Sequence, residues 1–359
     1  MKGDFSRDSF DRFRHFSRVL LQQGRVALDA DANEESSIIL HFLRQLVADL
    51  IGEDGGPVGN CGFEIGRSKP GADLAFGAGR YYVDGILCEN DRAATTYRHQ
   101  PDFPVAGDEE LPGGLFLAYL DVWERHITWL EDDRIREVAL GGPDTATRAK
   151  VVWQVKLFAS DGLASTDREG FRPTWEALKR IWQPSHRGHL KARLGGDSSR
   201  FTGLENQLYR VEIHGGSRSG SPTFKWSREN GSVAFPIRHL EISTATLGSA
   251  PAEGRRALHP GDWIELVNDA VVLRGEPGLL FRIAAVHPDG STVELELRPG
   301  VDPPPIEEND PNHPMLRRWD HQARVGTASA ADGGIELEED VLFELENGIQ
   351  VVFDSASQG

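Results

Sequence analysis

From Asp29 to Gly52 the chain reads DADANEESSIILHFLRQLVADLIG, with apolar pairs Ile38/Ile39, Phe42/Leu43, Leu46/Val47 and Leu50/Ile51 every four positions. His41, Arg44, Gln45 and Asp49 fall between them. This period places a broad apolar stripe along an α-helix, and Gly52 with the following GEDGGP ends it. Such a stripe has to be covered by a core or by a neighbouring subunit, which constrains the fold more than any other feature.

The front of the stretch, Asp29-Ala-Asp31-Ala-Asn33, spells the opening of a calcium loop. A complete loop needs Gly at its sixth position and Glu at its twelfth, where this chain has Glu34 and Leu40. The same residues read better as a helix start. Asp31 is expected to cap the first turn, with Glu34 completing a capping box and Glu34 and Glu35 facing the positive end of the helix dipole.

Residues 1–28 interleave Phe5, Phe10, Phe13 and Phe16 with basic side chains, Arg7 among them. Six basic and three acidic residues give this arm a net charge of +3, leaving −20 of the chain's −17 total on the rest. One reading is a strap over the arm's own domain. The other is an arm that docks on a partner, since Phe and Arg are common interface anchors.

Beyond Gly52 the pattern turns to strands, helped by 39 Gly and 20 Pro in 359 residues. GRYYVDGILCEN (79–90) predicts a hairpin turning at Asp84-Gly85. LFLAYLDVWERHITWLED (115–132) and KVVWQVKLF (150–158) predict long strands. A short helix is expected near Thr174–Trp182 and an irregular junction over 183–204. From Gln207 onward the reading is all β: LYRVEIH, TFKWSREN, GSVAFPI, DWIELV, AVVLRG, LLFRIAAVH and STVELEL, with a turn at His287–Gly290 and a meander or small barrel. GVDPPPIEENDPNHP (300–314) reads as a linker, and a last hairpin turns at Asn347-Gly348. The expected class is mainly β (α+β), an N-terminal amphipathic helix followed by β-sandwich or barrel-like domains. The divisions expected are 1–52 (arm and helix), 53–204 (first β-rich domain), 205–300 (second β domain) and 301–359 (linker and C-terminal hairpin).

Chemistry is sparse. Glu124 and His126 at two-residue spacing, with Asp121 nearby, could serve acid–base work, although paired charges on half-exposed strands are the commoner meaning. Trp226, Trp263 and Trp319 could form a sugar-stacking platform or a core. His186 and His189 have ligand-like spacing without a third ligand. No nucleophile elbow, phosphate loop or dinucleotide fingerprint is present, so the sequence offers no catalytic, metal or cofactor site. The acidic balance argues against nucleic-acid binding and anionic membranes. Two cysteines, Cys61 and Cys88, no apolar leader and no ~20-residue apolar run suggest a soluble cytoplasmic protein.

The phrases MKGDFSRDSF, VLLQQGRVALDADANE, GRYYVDGILCEN, YLDVWERHITWLED, REVALGGPDTATRAKVVWQVK and TFKWSRENGSVAFP together resemble a bacterial domain family of unknown function, associated with phage-tail-like contractile injection systems. The resemblance spans nearly the whole chain. It departs at Ala32, where relatives often have Trp, and longer relatives are expected to continue past LENGIQVVF. It implies a structural or adaptor role at a baseplate or tail terminus, with other tail proteins and further copies of the chain as partners, and carries no catalytic residues over. The attachment residues expected are Phe5, Arg7, Phe10, Phe13 and Phe16 of the arm and Ile39, Phe42, Leu46 and Leu50 of the helix. The alternative is a glycan-binding or glycan-cleaving β protein using Asp121, Glu124, Trp226, Trp263 and Trp319.

Overall fold

The computed structural model describes the chain except residues 68–72, 105–110, 112, 160–167, 183–187, 196–206, 217–220, 249–253, 323–329 and 355–359. The chain forms two compact units, one of Met1 and Phe5–Lys179, the other of Lys2–Asp4 and Arg180–Gly359.

In the first unit, α1 (Asp29–Ile51) is the helix that the apolar period demands, closed at Gly52. Its start differs from expectation. Leu28 occupies the cap position with no side-chain cap, and Asp31 already lies inside the first turn. The acidic groups are engaged elsewhere: Ser6 Oγ donates to Asp29, and Ser9 Oγ donates to Glu34 at 2.5 Å. Residues 6–10 therefore run along the helix start and displace the capping box.

The hairpin β1 (Gly79–Val83) and β2 (Ile86–Asn90) turns at Asp84-Gly85, both in the left-handed region that such a two-residue turn requires. β3 (Phe116–Ile127) and β4 (Arg148–Ala159) form one antiparallel ribbon, paired along its full length from Phe116↔Ala159 to Ile127↔Arg148. Phe63, Phe76, Cys88, Tyr97, Trp153 and Val155 make the core beneath. Trp153 ties ribbon to hairpin by donating from Nε1 to the Glu89 carbonyl at 2.8 Å. α2 (Arg168–Trp182) begins earlier than the helix expected at Thr174.

The second unit is built on a closed six-stranded barrel. Its strands are β8 (Ala234–Glu241), β9 (Thr244–Leu247), β10 (Trp263–Val267), β11 (Leu279–Val286), β12 (Thr292–Glu296) and β13 (Met315–Trp319), in the order β8-β9-β12-β11-β10-β13 with β13 returning to β8. Inward residues such as Phe235, Ile264, Leu266, Phe281, Ile283, Val293 and Leu316 fill it. Beside it are β6 (Arg210–Ile213) paired with β7 (Thr223–Ser227), and β14 (Leu342–Glu346) paired with β15 (Ile349–Asp354) through the expected Asn347-Gly348 turn.

Three expectations are corrected here. AVVLRG is no strand: Asn268 caps α3 (Asp269–Arg274) by accepting from Val271 N at 3.0 Å, and Gly275 ends it in the left-handed region. Within the supposed junction, β5 (His189–Leu194) pairs with β15, while 183–187, with His186, and 196–206 lie outside the described residues. The Pro-rich stretch is not a free linker. Ile306 is buried and exchanges backbone hydrogen bonds with Leu240 at 2.9 and 3.0 Å.

Candidate functional site

Two features stand out: an uncovered apolar helix face in the first unit and a buried charge network in the second.

The inner side of α1 is fixed at three points. Ile38 is buried, Arg44 Nη2 pairs with Glu124 Oε1 at 2.7 Å, and the Gly85 turn lies flat against the helix backbone. A Cβ at Gly85 would sit 2.2 Å from the Arg44 carbonyl oxygen, so only glycine allows this approach. Roughly opposite lie Ile39, Leu43, Leu46 and Leu50, exposed at 52%, 55%, 55% and 78%. Their spacing of four, three and four is that of a coiled-coil seam. Phe42 and Leu40 flank the row and are exposed as well. Within the described chain the stripe that demanded a cover has none.

The arm is part strap and part open surface. Ser37 Oγ donates to Asp8 Oδ2 at 2.5 Å, and Phe10 packs on His41 with ring centres 5.4 Å apart. Phe5 meets the His126 ring edge-on at 5.4 Å and is otherwise exposed. Farther along, Phe13 and Phe16 are exposed, shielded only by the guanidinium groups of Arg12 and Arg14 over their rings, and Leu20, Leu21 and Val26 are also open. Arg7 is exposed too. The attachment residues expected from sequence thus lie on α1 and the segment beside it.

The glycan candidates are placed differently. Asp121 pairs with Lys156 at 2.5 Å and Glu124 with Arg44, on opposite faces of β3, so the two carboxylates do not converge on one bond. Trp226, Trp263 and Trp319 are buried and form no exposed row.

Sequence reasoning passed over the charge network. β10 is buried along its whole length: Ile264 and Leu266 face the barrel, and Trp263 and Glu265 lie on the outer side, where Trp263, Leu280 and Trp319 form a second cluster. Lys225 of β7, fully buried, donates to Glu265 Oε1 at 2.5 Å and lies 3.3 Å from His214 Nδ1, with its ammonium 4.5 Å from the centre of the Trp319 ring. Trp319 Nε1 and the Gly278 amide each donate to Glu265 at 2.9 Å. Burial opposes ionisation of Glu265, but the charges of Lys225 and Lys2 and the hydrogen bonds from Lys225 and the Gly278 amide outweigh it and hold the carboxyl down at about 2. Burial also opposes ionisation of Glu212; Lys2 and Lys225 outweigh it and keep that carboxyl below its ordinary value.

His321 stacks on Trp263 at 5.1 Å and donates from Nε2 to the Gly333 carbonyl at 3.0 Å. Its buried Nδ1 has no hydrogen-bond partner among the described residues. Burial pushes this imidazole down to about 4. The legible signal was a single charge inside an apolar strand, Lys225 between Phe224 and Trp226 and Glu265 between Ile264 and Leu266, a pattern that requires a buried counter-charge.

These features define a mainly β protein of two units that presents an apolar helix row to solvent and keeps its densest charges inside. The chain belongs to a family of unknown function, DUF6519, which matches residues 1–193 and 176–358 and so covers nearly all of it. No curated protein and no solved structure matches the chain. Among the described residues no helix is long and apolar enough to cross a membrane.

Proposed function

We propose that this chain acts by docking, as a structural or adaptor component of a phage-tail-like contractile injection system, at the baseplate or another tail terminus. One observation supports it above the rest: the row Ile39, Leu43, Leu46 and Leu50 lies exposed at heptad spacing on a helix whose other side is fixed. Spacing of this kind suits a partner helix, from another tail protein or a second copy, packing its side chains into the row. The exposed arm phenylalanines and arginines add anchors beside it. The tail assignment rests on the motif resemblance described above. Buried tryptophans and separately paired carboxylates lend the glycan alternative no support.

The test is the mass of the intact chain in solution by light scattering, alone and with baseplate and tail-terminus proteins of such a system, compared with a Leu43→Glu/Leu46→Glu variant. About half of each side chain in the row remains to be buried, worth roughly 1 kcal/mol apiece and about 4 kcal/mol over four. Placing two carboxylates in that interface is expected to weaken association by about a thousandfold or more while leaving the fold intact. A monomer that binds none of the tail proteins refutes the docking role.

A further inference from the structure

The second unit includes three residues from the far N-terminal end of the chain, Lys2–Asp4. They are held as a peptide ligand is held, with every residue read. Lys2 Nζ pairs with Glu212 Oε1 at 2.8 Å and lies 5.6 Å from the centre of the Trp319 ring. Gly3 is buried; its amide donates to the Asn230 carbonyl at 3.2 Å, and Asn230 Nδ2 returns a hydrogen bond to the Gly3 carbonyl at 3.0 Å. Asp4 pairs with Arg256.

The receiving surface is itself built for this. Asn230 is buried in the left-handed region, its amide donating to the Leu208 carbonyl at 2.8 Å, which fixes the groups that grip Gly3. Gly231 follows, and the aliphatic stem of Lys2 passes 3.7 Å from where a Cβ would stand there. Glu212 is held by Arg210 at 2.9 Å and approached by Lys225 at 3.4 Å, so the carboxylate is oriented whether or not Lys2 is present. An oriented carboxylate beside an indole face is a receptor for a primary ammonium.

We propose that the second unit holds a recognition site for a Lys-Gly-Asp segment, filled here by residues 2–4 of the same chain and able to take that segment from a second copy. Exchange of an identical segment leaves its contacts unchanged, which makes it a low-cost route to association. Reciprocal exchange between two copies closes a two-fold dimer, whereas one-way donation from copy to copy gives rings or filaments. This assembly is independent of the α1 row.

The experiment uses a full chain lacking only Lys2–Asp4, titrated with a labelled peptide of residues 1–8 (MKGDFSRD). The truncated chain is expected to bind it at least about tenfold more tightly than the intact chain, whose own segment competes. A peptide carrying Lys2→Gln should bind the truncated chain at least about tenfold more weakly, having lost the ammonium. No binding, or equal binding of both peptides, overturns the site. Should the truncated chain fail to fold, the full-length Lys2→Gln chain takes its place with the same thresholds.

Exchange between copies is read by light scattering in the Leu43→Glu/Leu46→Glu background, which removes association through α1. Mass should rise as concentration approaches that of a tethered segment, on the order of a millimolar. The rise should vanish when Lys2–Asp4 is deleted. A monomer at every concentration overturns the exchange, whatever the fate of the helix row.

Discussion

Replacing Lys225 by Met tests whether the buried charges are bound to one another or merely tolerated. Methionine keeps an unbranched apolar stem one atom shorter and removes the ammonium, which lies 4.5 Å from the centre of the Trp319 ring. Glu265, with a side chain only 2% exposed, is then left with the Trp319 and Gly278 donors and the more distant Lys2. Breaking a buried pair on one side costs about 3–5 kcal/mol, because the remaining charge has lost both water and partner. Adding Glu265→Gln removes that orphan charge and keeps an acceptor for one of the two donors, which use different carboxylate oxygens, so the double variant should recover to within about 1–3 kcal/mol of the wild type.

The pH dependence carries its own sign. In the wild type Glu265 ionises at about 2, below its ordinary 4.5, so its contribution is complete above pH 4.5 and is lost as pH falls towards 2. Without Lys225, burial dominates and raises the carboxyl, so the variant regains stability as the pH is lowered towards 4.5 and the charge is neutralised. Denaturant unfolding at pH 7.5 and pH 5, with amide protection of β7 and β10 as the readout, resolves both effects. A loss below about 1 kcal/mol at pH 7.5, or a double variant as unstable as the single one, would show that the pair does not hold these strands together.

Two further outcomes follow from local geometry. Gly85→Ala should cost at least about 2 kcal/mol in thermal unfolding, since φ is +74° and the new methyl meets the helix backbone, whereas Gly59→Ala, with φ +83° and open space around it, should cost only about 1 kcal/mol. His321, buried at about 4 against an ordinary 6.5, binds its proton in the unfolded chain first, so stability should hold above pH 6.5 and decline between 6.5 and 4 by about 3 kcal/mol. His321→Gln should remove that slope in a series of unfolding measurements across pH.

What could be read in advance was local. The presence and the end of α1 follow from its period and from Gly52, and both hairpins follow from dipeptides, Asp84-Gly85 and Asn347-Gly348, that accept positive φ at low cost. Where a distant partner decides, sequence reading stopped. HLKARL does alternate, Leu190, Ala192 and Leu194 against His189, Lys191 and Arg193, but it is short and exposed along its length, and nothing in it names its partner, the C-terminal strand Ile349–Asp354. In AVVLRG the two valines argue for a strand, but the Asn268 cap and Gly275 stop outweigh them over six residues. Lys225 and Glu265 each look like an isolated charge, and nothing in their spacing reveals that β7 and β10 meet. The attachment residues of α1 were legible as apolar and periodic; that Ile39, Phe42, Leu46 and Leu50 stay uncovered is visible only in three dimensions.

The order in which the barrel strands occur has a consequence for synthesis. β13 pairs with both β8 and β10, yet Met315–Trp319 leaves the ribosome only after every other barrel strand. Until then Ala234–Pro236 and Trp263–Val267 present unpaired backbone, and Glu265 has not yet met Trp319. A chain stalled or cut before Met315 carries two open strand edges flanked by apolar side chains, the form most prone to pair with its neighbours on a polysome.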